Sequence, residues 1–164
     1  MRILIAYYSA GGNTEYVANK IVERLKEHQI ELTRIEALQE YKNSISRYLI
    51  GSTRASREIR TPIKATKSDL NSYDLLLLGF PIWAGKLPSP VLTYIDSLTN
   101  CSGKKAITFA SSHWNFSRYK KVGKNELKAK GMEVILSLSF RGRTIRENEL
   151  AKINQIKGGV QCLG

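Results

Sequence analysis

The sequence predicts an α/β fold, an open, doubly wound sheet of five parallel strands with helices on both faces. Three observations lead there. Five apolar runs, near residues 2–8, 31–36, 73–79, 106–110 and 132–140, have the length and character of buried strands. Stretches of helical periodicity lie between them, so strand and helix alternate along the chain. The whole is 164 residues, the size of one core, so residues 1–164 are expected to form a single domain.

The first run, Arg2-Ile3-Leu4-Ile5-Ala6-Tyr7-Tyr8, is continuously apolar, as a strand covered on both faces must be. It is too short for a secretory leader and a Gly-rich turn follows directly, so it is read as a buried strand. From Thr14 the pattern turns helical, with Val17, Ala18, Ile21, Val22 and Leu25 on one face and Glu23, Arg24, Lys26 and Glu27 toward water. Residues 31–36 form a second strand. Tyr41, Ile45, Tyr48 and Leu49 suggest a short helix, closed before Pro62. Tyr73 to Gly79 is the third strand, and Val91, Leu92, Ile95 and Leu98 give the helix from about Ser89 its apolar face. Ala106 to Ala110 is the fourth strand. A basic helix around 119–130 follows, capped by Gly131, and Met132 to Phe140 is the fifth strand. The last helix starts near Glu147, turns Leu150, Ile153 and Ile156 inward, and is expected to stop at Gly158-Gly159.

Composition excludes several classes. Hydrophobic residues are 42% and charged residues 24%, which is globular rather than disordered. Cys101 and Cys162 can build neither a disulfide framework nor a C-x-x-C site, and a cytoplasmic location is expected. The longest apolar run, Leu75 to Ala84, is too short to span a bilayer. Charge is the unusual property: 26 basic against 14 acidic residues give a formal net charge of +12. Residues 1–82 carry 12 basic and 9 acidic residues, a net +3, and residues 83–164 carry 14 and 5, a net +9. Such a field attracts anions, or serves only as a solvated basic surface.

Three loops leave the carboxyl ends of predicted strands, where doubly wound sheets bind ligands. In the first, Ser9, Ala10, Gly11, Gly12, Asn13 and Thr14 combine side-chain donors with glycines that let backbone N–H groups turn inward at a helix start. That is the chemistry of a phosphate cradle, though neither a Walker A loop nor a Gly-x-Gly-x-x-Gly turn. The alternative is a plain turn with Asn13 or Thr14 as helix cap. In the second, Pro81, Ile82, Trp83, Ala84 and Gly85 set a flat aromatic among small residues where a planar ring can approach, unless Trp83 is core. In the third, Ser111, Ser112, His113, Trp114, Asn115 and Phe116 crowd aromatic and polar groups together, suited to a ligand wall or to a loop folded on itself. His28, near a helix end, is expected to be solvated.

Tyr8-Ser9-Ala10-Gly11-Gly12-Asn13-Thr14-Glu15 resembles the Ser-x-Thr-Gly-Asn-Thr phosphate loop of flavodoxins. Tyr73 to Gly79 with Pro81-Ile82-Trp83-Ala84-Gly85 resembles that family's strand and isoalloxazine loop, and Leu87-Pro88-Ser89-Pro90-Val91 the helix start that follows. Two departures stand out: Gly11 where the family commonly has Thr, and a basic charge where electron-carrying flavodoxins are typically acidic. The resemblance implies a sheet ordered 2-1-3-4-5 and one noncovalent FMN. Residues 9–14 would surround its phosphate, 81–85 its ring and 111–116 the far wall, with the peptide groups of 82–85 tuning the flavin. It implies flavodoxin-type electron transfer. An NAD(P)H-dependent FMN or quinone reductase of the same fold is the alternative, and a basic binding module without flavin a more distant one. Arg54, Arg57, Arg60, Arg118, Lys120 and Lys121 are expected near the mouth, which suggests an anionic redox partner protein or a phosphorylated nucleotide.

Overall fold

Strand β1 (Arg2–Tyr7) lies inside the sheet, and its neighbours determine the architecture. The computed structural model describes residues 1–39, 44–112, 121–141 and 147–161, with side chains omitted for 44–49 and 147–150. Helix α1 (Asn13–Arg24) leads to β2 (Gln29–Arg34), α2 (Ser44–Ser56) to β3 (Leu75–Pro81), and α3 (Ser89–Ser97) to β4 (Lys105–Ser112). Helix α4 (Lys124–Ala129), β5 (Glu133–Arg141) and α5 (Glu147–Gln161) complete the chain. The strands order β2-β1-β3-β4-β5, and all four pairings are parallel.

The strand period of two divides the core. Ile3, Ile5, Tyr7, Leu75, Leu77, Ile107 and Phe109 face α1 and α5, where Val17, Ile21, Ile153 and Ile156 meet them. Leu4, Ala6, Tyr8, Leu76, Leu78, Phe80 and Ala110 face the other way, onto Val91, Leu92 and Ile95 of α3 and Leu127 of α4. Continuous apolar runs were therefore required in β1, β3 and β4, which are covered on both faces, whereas edge strand β2 has no buried residue and carries a polar sequence. Gly79 has a separate reason. It pairs in register with Phe109, whose ring crosses it; a Cβ there would stand 2.2 Å from Cζ.

Several boundaries differ from expectation. Strand β2 begins at Gln29, two residues early, because the chain turns from α1 sooner and Gln29 pairs with Arg2. Helix α2 is short and closes before Pro62 as expected, but it stops at Ser56 for a reason of its own. Glu58 takes a left-handed φ of 52°, its N–H donates to the Ala55 carbonyl, and the Ile59 N–H reaches the Arg54 carbonyl. That is a Schellman stop without glycine. Gly131 ends α4 as expected, with φ of 80° and the same pair of bonds to Lys128 and Leu127. Helix α5 does not stop at Gly158-Gly159 but runs through both to Gln161, held by buried Val160 against the sheet. His28 is half-buried, not solvated, and its Nε2 has no hydrogen-bond partner. Tyr41 and Cys162 lie outside the described residues, and nothing is said of the Leu150 side chain.

At the base of the sheet the Tyr73 hydroxyl donates to Glu31. Burial, then this bond to Glu31, pushes the phenol from its ordinary 10.0 up to about 12, while the bond holds Glu31 below the usual carboxylate range. A phenol pKa raised by folding contributes stability that is present below pH 10.0 and lost as pH climbs toward about 12. Denaturant midpoints should therefore fall less steeply across that interval in Tyr73→Phe than in the parent; an unchanged slope would show that Tyr73 does not carry the linkage.

Gly79→Ala should lower stability by about 1–3 kcal/mol, because the fully buried Phe109 has nowhere to retreat. Gly158→Ala, with open space around the new methyl, should raise it by up to about 1 kcal/mol. Chemical denaturation measures both, and the two signs must be opposite.

Candidate functional site

Sheet order reverses at β1, so the β1–α1 and β3–α3 loops part to opposite faces and leave a crevice at their carboxyl ends. A cleft of about 130 Å³, open to solvent, occupies it. Ser9, Ala10, Gly11, Asn13 and Thr14 line one side, Pro81, Ile82 and Trp83 the second, and Ser111 and Ser112 the third. Loops separated by about a hundred residues thus converge as the sequence predicted. Gly12, Ala84 and Gly85 support the cleft without lining it. His113, Trp114, Asn115 and Phe116 lie outside the described residues, as do Arg118 and Lys120.

The first loop opens a helix start with no side-chain cap. Gly12 is the N-cap of α1 at φ 83°, a left-handed angle that glycine adopts without strain, and no side chain caps the helix. Neither Asn13 nor Thr14 plays the capping part that the alternative reading gave them. Among the described residues no side chain covers the first-turn N–H groups or the positive end of the helix. Ser9 is 3% exposed, and its Oγ has no hydrogen-bond partner among the described residues. An unpaired hydroxyl at that depth costs on the order of 1–3 kcal/mol unless a ligand satisfies it. Thr14, 1% exposed, places Oγ1 2.7 Å from Ser111 Oγ, tying the cradle to the end of β4.

One cation near this loop was not foreseen. Arg34, the last residue of β2, donates from Nη2 to the Ser9 carbonyl at 3.2 Å and approaches Glu15 at 3.6 Å. Tyr7 Oη donates to the same carboxylate at 3.1 Å. Burial first, then the Glu15 charge, raises the Tyr7 phenol above its ordinary value. The signal was present only in the register: Arg34 pairs with Tyr7 across β1 and β2, far from the loop in sequence.

The second loop is a two-residue hairpin. Trp83 and Lys86 exchange both backbone hydrogen bonds, at 3.1 and 2.8 Å, and the residues between them, Ala84 and Gly85, take φ of 49° and 76°. Two positive φ values are the signature of a type I′ turn. The Ile82 N–H donates to the Ser111 carbonyl at 2.9 Å, which couples the hairpin to β4. Trp83 is half-buried; its ring meets Tyr8 edge-on at 82°, with centroids 5.7 Å apart.

Comparison with known proteins follows this geometry. The model of the flavodoxin family matches residues 2–150. The chain belongs to the flavodoxin family. A flavoprotein from Lactobacillus acidophilus NCFM, solved in complex with FMN, is 25% identical, with 93% of this chain and 98% of that one covered and a TM-score of 0.71. The apo-form of the flavoprotein from the same organism is 26% identical over 93% of this chain and 96% of that one, with a TM-score of 0.59. Oxidised Flavodoxin 2 from Bacillus cereus, 24% identical over 95% and 94% at a TM-score of 0.66, speaks to the fold alone. No curated protein matches the sequence.

This flavodoxin is a flavin-binding redox protein of the electron-transfer type. Its residues suit such a group: an uncapped helix start and an unpaired buried Ser9 hydroxyl on one wall, an aromatic plane on another. Among the described residues no cluster could hold a metal ion, and no helix is long and apolar enough to cross a membrane.

Ala84 is a test of the hairpin. At φ of 49° a Cβ is strained, and a branched one more so. Ala84→Gly should hold stability within about 1 kcal/mol, whereas Ala84→Val should lose about 1–3 kcal/mol. Urea unfolding distinguishes them; equal losses would mean the turn does not hold this conformation.

Proposed function

We propose that this flavodoxin holds one FMN noncovalently and carries electrons singly between protein partners. The observation that supports this most is the single anion cradle, with its left-handed Gly12, open helix start and unpaired Ser9 hydroxyl. One cradle suits one phosphate, which favours FMN over FAD. Ser9, Asn13 and Thr14 and the adjoining N–H groups would hold the phosphate, and Pro81, Ile82 and Trp83 would flank the ring, with Ser111 and Ser112 opposite. The flavin supplies the redox chemistry when bound. The protein excludes water, aligns the ring and offers the peptide groups of the Trp83–Lys86 turn beside it. His113, Trp114, Asn115 and Phe116 would complete the far wall.

Titration of apoprotein with FMN, FAD and riboflavin tests the cofactor, and equal or tighter binding of FAD would defeat it. Thr14→Val should weaken FMN by about 1.5–3 kcal/mol, the scale of a hydrogen bond to a charged group, and leave riboflavin unchanged. A matching loss for both would mean only that the pair with Ser111 had been broken. Rapid anaerobic reduction of the bound flavin by NADPH alone would favour the reductase reading over the carrier.

The net charge of +12 motivates the partner: an anionic redox protein, with a phosphorylated nucleotide as the other outcome. Lys121 and Arg57 are exposed. Helix α2, which carries Arg54 and is followed directly by Arg57, lies against Trp83 at Gly51. Arg60 is committed elsewhere, to Asp96 at 2.8 Å, and Lys86 pairs with Glu58 at 2.8 Å. Electron transfer with a reduced, acidic ferredoxin should slow when Arg118→Glu and Lys121→Glu are combined. The difference should shrink as the Debye length falls from about 30 Å at 0.01 M salt to about 8 Å at 0.15 M. A salt-independent rate in the unmodified protein would remove the steering role.

A further inference from the structure

We propose that Gly51 is a positioning residue for the aromatic wall: its missing side chain forms the socket that sets where Trp83 stands in the cleft. The inference rests on the reading that the flavin ring lies against Trp83. Gly51 is buried in the middle of α2, where only proline is a poorer helix former. A Cβ there would stand 2.7 Å from Trp83 Cζ3, 3.0 Å from Cε3 and 3.3 Å from Cη2. All three atoms belong to the benzo ring, so that part of the indole is seated against helix backbone. Tyr8 meets the indole edge-on, and the hairpin bonds to Lys86 pin its main chain. The ring is thus held by three separate elements before any ligand arrives, and preorganisation of this kind lowers the cost of binding.

A methyl group at position 51 would force one side to yield. The helix backbone is the stiffer of the two, whereas the indole is the end of a half-buried side chain on a loop. Relaxing a 2.7 Å contact to an ordinary carbon–carbon separation moves the ring by about 1 Å. Such a shift alters the surface offered to a planar ring and leaves the Ser9–Thr14 cradle in place. Gly51 should therefore influence the ring-dependent part of flavin affinity and not the phosphate-dependent part, the reverse of Thr14.

The test uses the full chain in a Trp114→Phe background, where Trp83 is the remaining tryptophan of the two in the sequence. Without flavin, Gly51→Ala should shift the emission of Trp83. It should weaken riboflavin and FMN by one common factor, about tenfold. Adding Trp83→Phe, which removes the benzo ring that clashes, should reduce the cost of Gly51→Ala to less than threefold. An equal cost with Trp83 or Phe at position 83 would overturn the proposal, as would unchanged emission with unchanged affinity. If Gly51→Ala fails to fold, folding of the double variant supports the socket, and failure of both overturns it. Unchanged riboflavin affinity in Trp83→Phe alone would mark a different failure, that of the ring placement itself, and the proposal would fall with it.

Discussion

Parallel hydrogen bonding of β1 to β2 on one side and β3 on the other is the constraint on which the rest depends. It buries Ile3, Leu4, Ile5 and Ala6 completely, and it makes the sheet reverse direction of growth at this strand. The reversal opens a crevice lined by Ser9–Gly11, Asn13 and Thr14 from one loop and Pro81–Trp83 from the other. The Tyr8 N–H donates to the Gly79 carbonyl and the Ile35 N–H to the Tyr7 carbonyl, so the pairing extends to the threshold of the cleft. Its two cross-links, Thr14 to Ser111 and Ile82 to Ser111, then bind the first and second loops to β4.

Much of this was legible in the sequence because burial on two faces leaves a strong mark. Leu75-Leu76-Leu77-Leu78 has no reading other than a covered strand once Gly79 and Pro81 limit its length. The glycines at 11 and 12 marked the turn into α1, where Gly12 takes a left-handed φ of 83° that other residues adopt only with strain. Local rules failed where tertiary contacts overrode them. Gly158-Gly159 reads as a helix stop, yet Val160 packs fully buried and carries α5 past both. Glu58 ends α2 in a conformation usually left to glycine. Arg34 and Gly51 were invisible for another reason. Each acts on a residue brought beside it by register or packing, and neither stands in a motif.

Electrostatics divides between site and surface. The cradle contains no lysine or arginine, so the phosphate of the proposed FMN would be met by N–H dipoles and hydroxyls rather than by full charges. Arg34, the nearest described cation to the loop by its bond to Ser9, is already engaged with Glu15. The excess positive charge lies elsewhere, concentrated in residues 83–164. On the proposed reading, cofactor retention and partner attraction would be separable, the first resting on short-range donors that salt barely screens and the second on a long-range field that salt suppresses.

The central claim is that the Ser9–Thr14 cradle and the open end of α1 receive a phosphate dianion. Phosphorus NMR of bound FMN, followed against pH, tests it most directly. A free phosphomonoester loses its second proton at about pH 6, passing from monoanion to dianion. Donors that favour the charged form depress that value. The account predicts a bound resonance that stays at its dianion position from pH 8 to pH 5. A resonance that titrates near pH 6, as in free FMN, would contradict it.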